Sequence, residues 1–136
     1  MTTKPTILVV AAQIEKDGKY LITQRGPHAS LPLLWEFPGG RVEDGETDED
    51  AIARELKEEM DIDVAVEEEV VSVFHEYEDY FIDFRVYRCR LLDEQEISRL
   101  KVFNFAWVMP DELDNYEFPS ADQASIDILL KTNNLN

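Results

Sequence analysis

Gly39-Gly40-Arg41-Val42-Glu43-Asp44-Gly45-Glu46 is followed, after Thr47-Asp48-Glu49-Asp50, by an acidic run that ends Arg54-Glu55-Leu56-Lys57-Glu58-Glu59-Met60-Asp61-Ile62. The glycines read as a turn. Thr47 suits a helix N-cap with Asp50 at the capping-box position, and Asp48, Glu49 and Asp50 suit the positive end of the helix dipole. Ile52, Leu56 and Met60 recur every four residues and predict a buried stripe. Residues three and four apart share a helix face, so Glu55, Glu58 and Glu59 project together beside that stripe. Three adjacent carboxylates repel, and a divalent cation removes that repulsion. Mg²⁺ is commonly held by a few carboxylates together with substrate phosphate. Arg54 is spaced to pair with Glu58 and to orient the acids. Glu46 can reach back along the same face, and the Gly39-Gly40 pair allows close backbone approach, with the Gly39 carbonyl a further candidate ligand. A solvated helix with (i, i+4) ion pairs would explain Glu58-Glu59 alone, but not the glycines or the isolated Glu46.

Working outward, Ile7 to Ile14 is β-branched and apolar on both faces, as in a buried strand. Asp17-Gly18 signals a hairpin turn, and Tyr20 to Arg25 is its returning strand. Gly26 to Pro32 is a loop, and Trp35-Glu36-Phe37-Pro38 leads a third short strand into the glycines. Val64–Phe74 and Phe81–Leu92 are longer strands joined through residues 75–80, and Phe105–Val108 is another. Pro110-Asp111-Glu112-Leu113 suits a short helical turn. Ser120, with Gln123 at the reciprocal position, suits the start of a last helix packed through Ile126, Leu129 and Leu130. Strands with two well-spaced helices imply an α/β domain, a mixed sheet with helices on both faces, over residues 1–136.

The chain of 136 residues carries a net charge of −17, which argues against nucleic-acid polymers and anionic membranes as partners, since both need a basic surface. The apolar run near the N-terminus is too short to span a membrane and lacks a cleavage region, so the cytoplasm is the expected location. Cys89 is the only cysteine. It alternates with Arg85, Tyr87 and Leu91 on one strand face, as a small core residue would. Monomer and homodimer are both left open.

The spacing Gly40, five residues, Glu46, seven residues, Arg54-Glu55-Leu56-x-Glu58-Glu59 resembles the Nudix box, the signature of the Nudix hydrolases. Trp35-Glu36-Phe37-Pro38-Gly39-Gly40 and Phe118-Pro119-x-Ala121-Asp122 are similar to the MutT-type branch. The resemblance implies an α/β/α sandwich and Mg²⁺- or Mn²⁺-dependent hydrolysis of a nucleoside diphosphate linked to a further group. It implies Gly39, Glu55, Glu58 and Glu59 as metal ligands, Glu46 and Arg54 as supports, and Glu46 or Glu55 near the attacking water. Asp61 departs from the pattern, which has glycine there. That position usually needs a left-handed backbone, so the expected cost is to stability, about 1 kcal/mol, with activity kept.

Arg25 and Arg41 match positions that face phosphates in MutT-like proteins; plain surface arginine is the alternative. Phe37 and Tyr77 could wall a base, since aromatic faces stack on nucleobases, although core packing explains Phe37 as well. Asp122 accepts hydrogen bonds only and suits a base edge rich in N–H; the alternative is an acid stabilising the helix dipole. Glu94 or Glu96 could add a ligand or base from a late loop, or simply be solvated. The expected activity is cleavage of a (deoxy)nucleoside triphosphate to the monophosphate and pyrophosphate. The candidate substrates are 8-oxo-dGTP-like or CTP-like nucleotides. Another nucleoside diphosphate derivative, such as a nucleotide sugar, is the alternative substrate. A nucleotide-binding module without turnover is the non-enzymatic one, and the intact glutamates argue against it.

Overall fold

The structure is a computed structural model that describes residues 4–122 and 127. Its central strand β1 (Thr6–Lys16) turns at Asp17-Gly18 into β2 (Lys19–Gln24). Both turn residues have positive φ, 53° and 78°. A two-residue hairpin turn matching strand twist needs that geometry, which the Asp-Gly pair supplies. The short strands β3 (Trp35–Glu36) and β4 (Gly39–Arg41) precede helix α1 (Asp48–Met60). Strands β5 (Val64–Glu76) and β6 (Phe81–Leu91), then β7 (Asn104–Val108) and a 3-10 turn (Pro110–Asn115), complete the described elements. Helical geometry resumes at Ser120. The expected packing of Ile126, Leu129 and Leu130, and the role of Gln123, lie outside the described residues.

The strands run β3-β2-β1-β6-β5, with β4 also on β1 and β7 also on β2. β1 and β6 are parallel, from Thr6 opposite Phe81 to Ile14 opposite Cys89. The other pairs are antiparallel, so the sheet is mixed as expected. Alternation along β1 explains why it is apolar throughout. Val10, Ala12 and Ile14 join Ile52, Leu56 and Met60 under α1, whereas Ala11 joins Phe37, Phe84, Val86 and Phe118 on the opposite face. Ile52, Leu56 and Met60 are fully buried, which bears out the four-residue stripe. Cys89 lies in the core beneath α1, and burial pushes its thiol up to about 12.

The start of α1 is fixed from two sides. Thr47 Oγ1 accepts from the Asp50 amide at 3.1 Å, as its capping role requires. Asp48 accepts from Tyr87 Oη at 2.6 Å and from Arg85 at 3.0 Å, tying the helix to β6. At the other end Asp61 is left-handed, φ 55° and ψ 45°, and its amide returns to the Lys57 carbonyl. Lys57 Nζ lies 3.1 Å from the Asp61 carboxylate and offsets its charge. Amides of Ser98, Leu100 and Lys101 reach the Met60 and Glu59 carbonyls. The loop after β6 therefore meets the open end of the helix.

Two differences from expectation bear on the site. His75 and Glu76 belong to β5, leaving residues 77–80 as the connection, because the β5–β6 ladder continues to Glu76 opposite Phe81. Gly39-Gly40 is strand and not turn: Val10 pairs with Gly40 and Ala11 with Gly39. The residue with turn geometry in that stretch is Gly45, at φ 82°.

Candidate active site

The two strand glycines are required by proximity. A Cβ on Gly39 would stand 2.7 Å from Ala11 Cα, and one on Gly40 would stand 2.6 Å from Glu55 Oε1. Gly40 thus lets α1 lay a glutamate directly against the β4 backbone.

Arg54 organises the neighbouring acids. Its Nε and Nη2 donate to the two oxygens of Glu46 at 2.6 and 3.0 Å, a bidentate fork. Nη1 donates to Glu55 at 2.9 Å, and Nη2 also reaches the Arg41 carbonyl at 3.0 Å. The expected Glu58 partner is only a weak 3.5 Å contact. Eight residues of turn and helix bring Glu46 in line with the fork, while Glu58 stays exposed. Hydrogen bonds from Arg54, then from the Glu43 amide, hold the Glu46 carboxyl down at about 2. Burial raises Glu55, and Arg54 opposes that shift.

Glu59 is the tense group. Burial first, then repulsion from Glu36, Glu55 and Glu58, pushes its carboxyl up to about 9. Its Oε2 is buried without a hydrogen-bond partner. Among the described residues, no three acidic, histidine or cysteine side chains converge closely enough to form a ready ligand shell. The donors nonetheless fit a hard divalent cation in kind. They are carboxylate and carbonyl oxygens, one of them unsatisfied, around a strand stripped of side chains.

A cleft of about 250 Å³ lies beside this network and is lined by Glu59, Gly39, Gly40 and Arg41 together with Arg25, Phe37, Tyr77 and Asp122. Seven of the expected site residues therefore share one cavity; Glu55 adjoins it at Gly40 and Arg54 at the Arg41 carbonyl, whereas Glu46 and Glu58 are tied to it only through Arg54. Arg25 is engaged: it donates to Glu36 at 3.0 Å and to the Ser30 carbonyl and hydroxyl at 2.6 and 2.9 Å, fastening the loop after β2. Arg41 is exposed. Phe37 is 2% exposed and packs edge-on to Tyr20 at 6.3 Å, so its ring is core as well as cleft lining. Asp122 is 7% exposed. Burial, then Glu36, raises its carboxyl well above the ordinary range, while the amides of Asp122 itself and of Phe37 pull it back.

Glu36 is a cleft residue that sequence reasoning missed. Burial raises it and Arg25 opposes the shift. Its place between Trp35 and Phe37 marked it as strand, and only the strand's inward turn toward Glu59 could have flagged it. Glu94 lines two other cavities that share no residue with the cleft. Glu96 is exposed and does not line the cleft. Gln95 pins their loop through a paired 2.8 Å contact with the Asp63 backbone. His75 packs edge-on to Tyr77 at 4.8 Å. No helix among the described residues is long and apolar enough to cross a membrane.

A NUDIX domain profile matches residues 9–127. The chain is 37% identical over 120 residues to the CTP pyrophosphohydrolase of Escherichia coli strain K12, covering 85% of each chain. It is 37% identical over 127 residues to the 8-oxo-dGTP diphosphatase of Haemophilus influenzae, covering 91% of this chain and 92% of that one. The solution structure of the Escherichia coli ORF135 protein superposes with TM-score 0.78 at 32% identity, covering 94% of this chain and 91% of that one. The MutT protein of Methanosarcina mazei shares the fold, with TM-score 0.83 at 22% identity over 98% of this chain and 99% of that one. With the box from Gly40 to Glu59 intact and folded against β4, the chain belongs to the Nudix hydrolases, with MutT-type proteins among its relatives.

Proposed function

We propose that this chain is a Mg²⁺-dependent pyrophosphohydrolase that converts a nucleoside triphosphate to the monophosphate and pyrophosphate, with Mn²⁺ able to substitute. The observation that carries the reading is the buried, unpartnered oxygen of Glu59, set among acids in the same cleft as Asp122. A cation answers the first and a nucleobase the second. Gly39 (carbonyl), Glu55, Glu58 and Glu59 would hold the metal. The metal would supply charge neutralisation at the phosphates and a more acidic bound water.

The chain's own residues do the rest. Arg54 spends its fork on Glu46 and its remaining nitrogen on Glu55, so the acids are oriented before substrate arrives. Glu46 commits both oxygens to Arg54 and one to the Glu43 amide, which makes it an anchor and leaves Glu55 as the carboxylate for the attacking water. Arg41, exposed at the cleft, meets phosphate. Arg25 can do so only by sharing its guanidinium with Glu36. Phe37, Tyr77 and Asp122 face the base, and Asp122 selects an edge that presents N–H groups. Such an edge belongs to cytosine and to 8-oxoguanine alike, which agrees with the names of the two relatives above.

The test is a panel of canonical and oxidised nucleoside triphosphates with MgCl₂, with pyrophosphate and phosphate assayed separately, alongside Glu58→Gln. Pyrophosphate release by the wild type, reduced more than about 100-fold in the variant, is the expected result, because even supporting residues of metal sites cost 10–100-fold. Undiminished turnover in Glu58→Gln would remove the metal assignment. Absence of any nucleotide hydrolysis by the wild type would overturn the activity.

A further inference from the structure

The first turn of the last helix depends on a side chain from a distant connection. The first four amides of a helix have no partner within it. Pro119, immediately before the helical residues, has no side-chain acceptor to offer. Ser120 is itself helical and exposed. The Ala121 amide instead donates to Tyr77 Oη at 3.1 Å, across 44 residues of sequence. Ala121 is 2% exposed, so the amide has little access to water.

The next residue is Asp122. Its own amide and that of Phe37 favour its carboxylate against burial, directly beside the Ala121 amide that Tyr77 holds. Tyr77 is itself immobilised. Its amide donates to the Tyr80 carbonyl at 2.8 Å, its carbonyl accepts from Lys4 Nζ at 3.1 Å, and its ring lies 5.2 Å from that of Tyr80. Tyr77, Phe37 and Asp122 line the same cleft.

We propose that Tyr77 is a positioning residue for nucleotide selection: its hydroxyl holds the Ala121 amide and so fixes where the Asp122 carboxyl stands in the cleft. This rests on the reading of the cleft as a nucleoside triphosphate site in which Asp122 faces the base. The ring of Tyr77 could serve packing alone, and phenylalanine would then do equally well. The hydroxyl is what distinguishes the two roles, because phenylalanine keeps the ring and loses only the hydroxyl, and with it the acceptor for the Ala121 amide.

The experiment measures kcat and KM for CTP and for 8-oxo-dGTP with wild type, Tyr77→Phe, Asp122→Asn and the double variant. Amide exchange at Ala121 is followed in the same proteins. Tyr77→Phe is expected to speed exchange at Ala121 and to shift the ratio of kcat/KM between the two nucleotides by about three- to tenfold, the range of one hydrogen bond. KM should move more than kcat, since the contact concerns binding geometry. In the Asp122→Asn background the same substitution should leave the ratio where it was, because the two residues act as one unit. An unchanged ratio in Tyr77→Phe overturns the proposal even if Ala121 exchanges faster. So does an equal shift in both backgrounds, which would mean that Tyr77 acts independently of Asp122. If the wild type hydrolyses neither nucleotide, the reading of the cleft falls and this proposal with it; if it discriminates and Tyr77→Phe does not differ, only the proposal falls.

Discussion

The two halves of the cleft are built on opposite plans. Around α1, Gly39, Glu46, Arg54, Glu55, Glu58 and Glu59 come from one continuous stretch and are wired by charge, with a single guanidinium serving Glu46 and Glu55. Around Asp122, the participants come from the connection after β5, from the segment between β3 and β4 at Phe37 and from the last helix, with the Ala121 amide bonded to Tyr77. The first half carries unmet electrostatic demand, concentrated at Glu59. The second is anchored at the Ala121 amide. A charged, tense half suits a step that changes charge at phosphorus, and a half fixed through the backbone suits discrimination between bases.

Arg54→Lys should produce the largest separation between the halves. A lysine brings charge but no fork, so Glu46 and Glu55 lose their common partner. Turnover should fall about 10–100-fold while the preference between CTP and 8-oxo-dGTP stays within twofold of wild type, as read from kcat/KM for both nucleotides. A changed preference would show that the halves are not separable.

Next in size are the two glycines, whose neighbours differ in kind. Alanine at Gly39 meets the β1 backbone at Ala11, which cannot yield, so a loss of about 1–3 kcal/mol in urea unfolding is expected. Alanine at Gly40 meets the end of the Glu55 side chain, which can swing aside. That variant should keep its melting temperature and lose turnover, because Glu55 is displaced. Equal melting losses in both would mean that Gly40 serves the strand and not the glutamate.

Asp61→Gly is a smaller test. Relief of the left-handed backbone is worth about 1 kcal/mol, and loss of the exposed Lys57 pair takes back a few tenths. A net gain of about 0.5 kcal/mol with unchanged kcat would place the departure from the family pattern in stability alone. Smallest of all is the expected effect at Cys89. Burial raises its thiol to about 12, so the thiolate form is scarce at every pH below that value. Iodoacetamide at pH 8 should leave the folded protein unlabelled and modify it only in urea; labelling of the folded protein would mean that the sheet beneath α1 opens.

What was legible in the chain followed from range. The stripe Ile52, Leu56, Met60, the Thr47 cap, the Asp17-Gly18 hairpin and the left-handed Asp61 are interactions between near neighbours, and residue type and spacing determine them. The acidic flank of α1 was legible for the same reason, since helix geometry alone brings Glu55, Glu58 and Glu59 to one side. The reading failed where a partner came from elsewhere. Gly39-Gly40 looked like a turn because a glycine pair is ambiguous until the strand opposite it is known. Helix spacing pairs Arg54 with Glu58, yet the folded turn at Gly45 delivers Glu46 to its fork. Glu36 passed as a strand residue until Arg25, Glu59 and Asp122 were placed around it.

The sequence by itself therefore determined the helix with its acids, the strands other than Gly39–Arg41, and, through the resemblance its box carries, the kind of bond such a site can attack. Only the tertiary structure decided which oxygen is left unsatisfied, which acid the arginine holds, and that Tyr77 meets the Ala121 amide beside Asp122. The physical reason is that burial and long-range hydrogen bonding depend on the whole packed sheet, and no local pattern contains them.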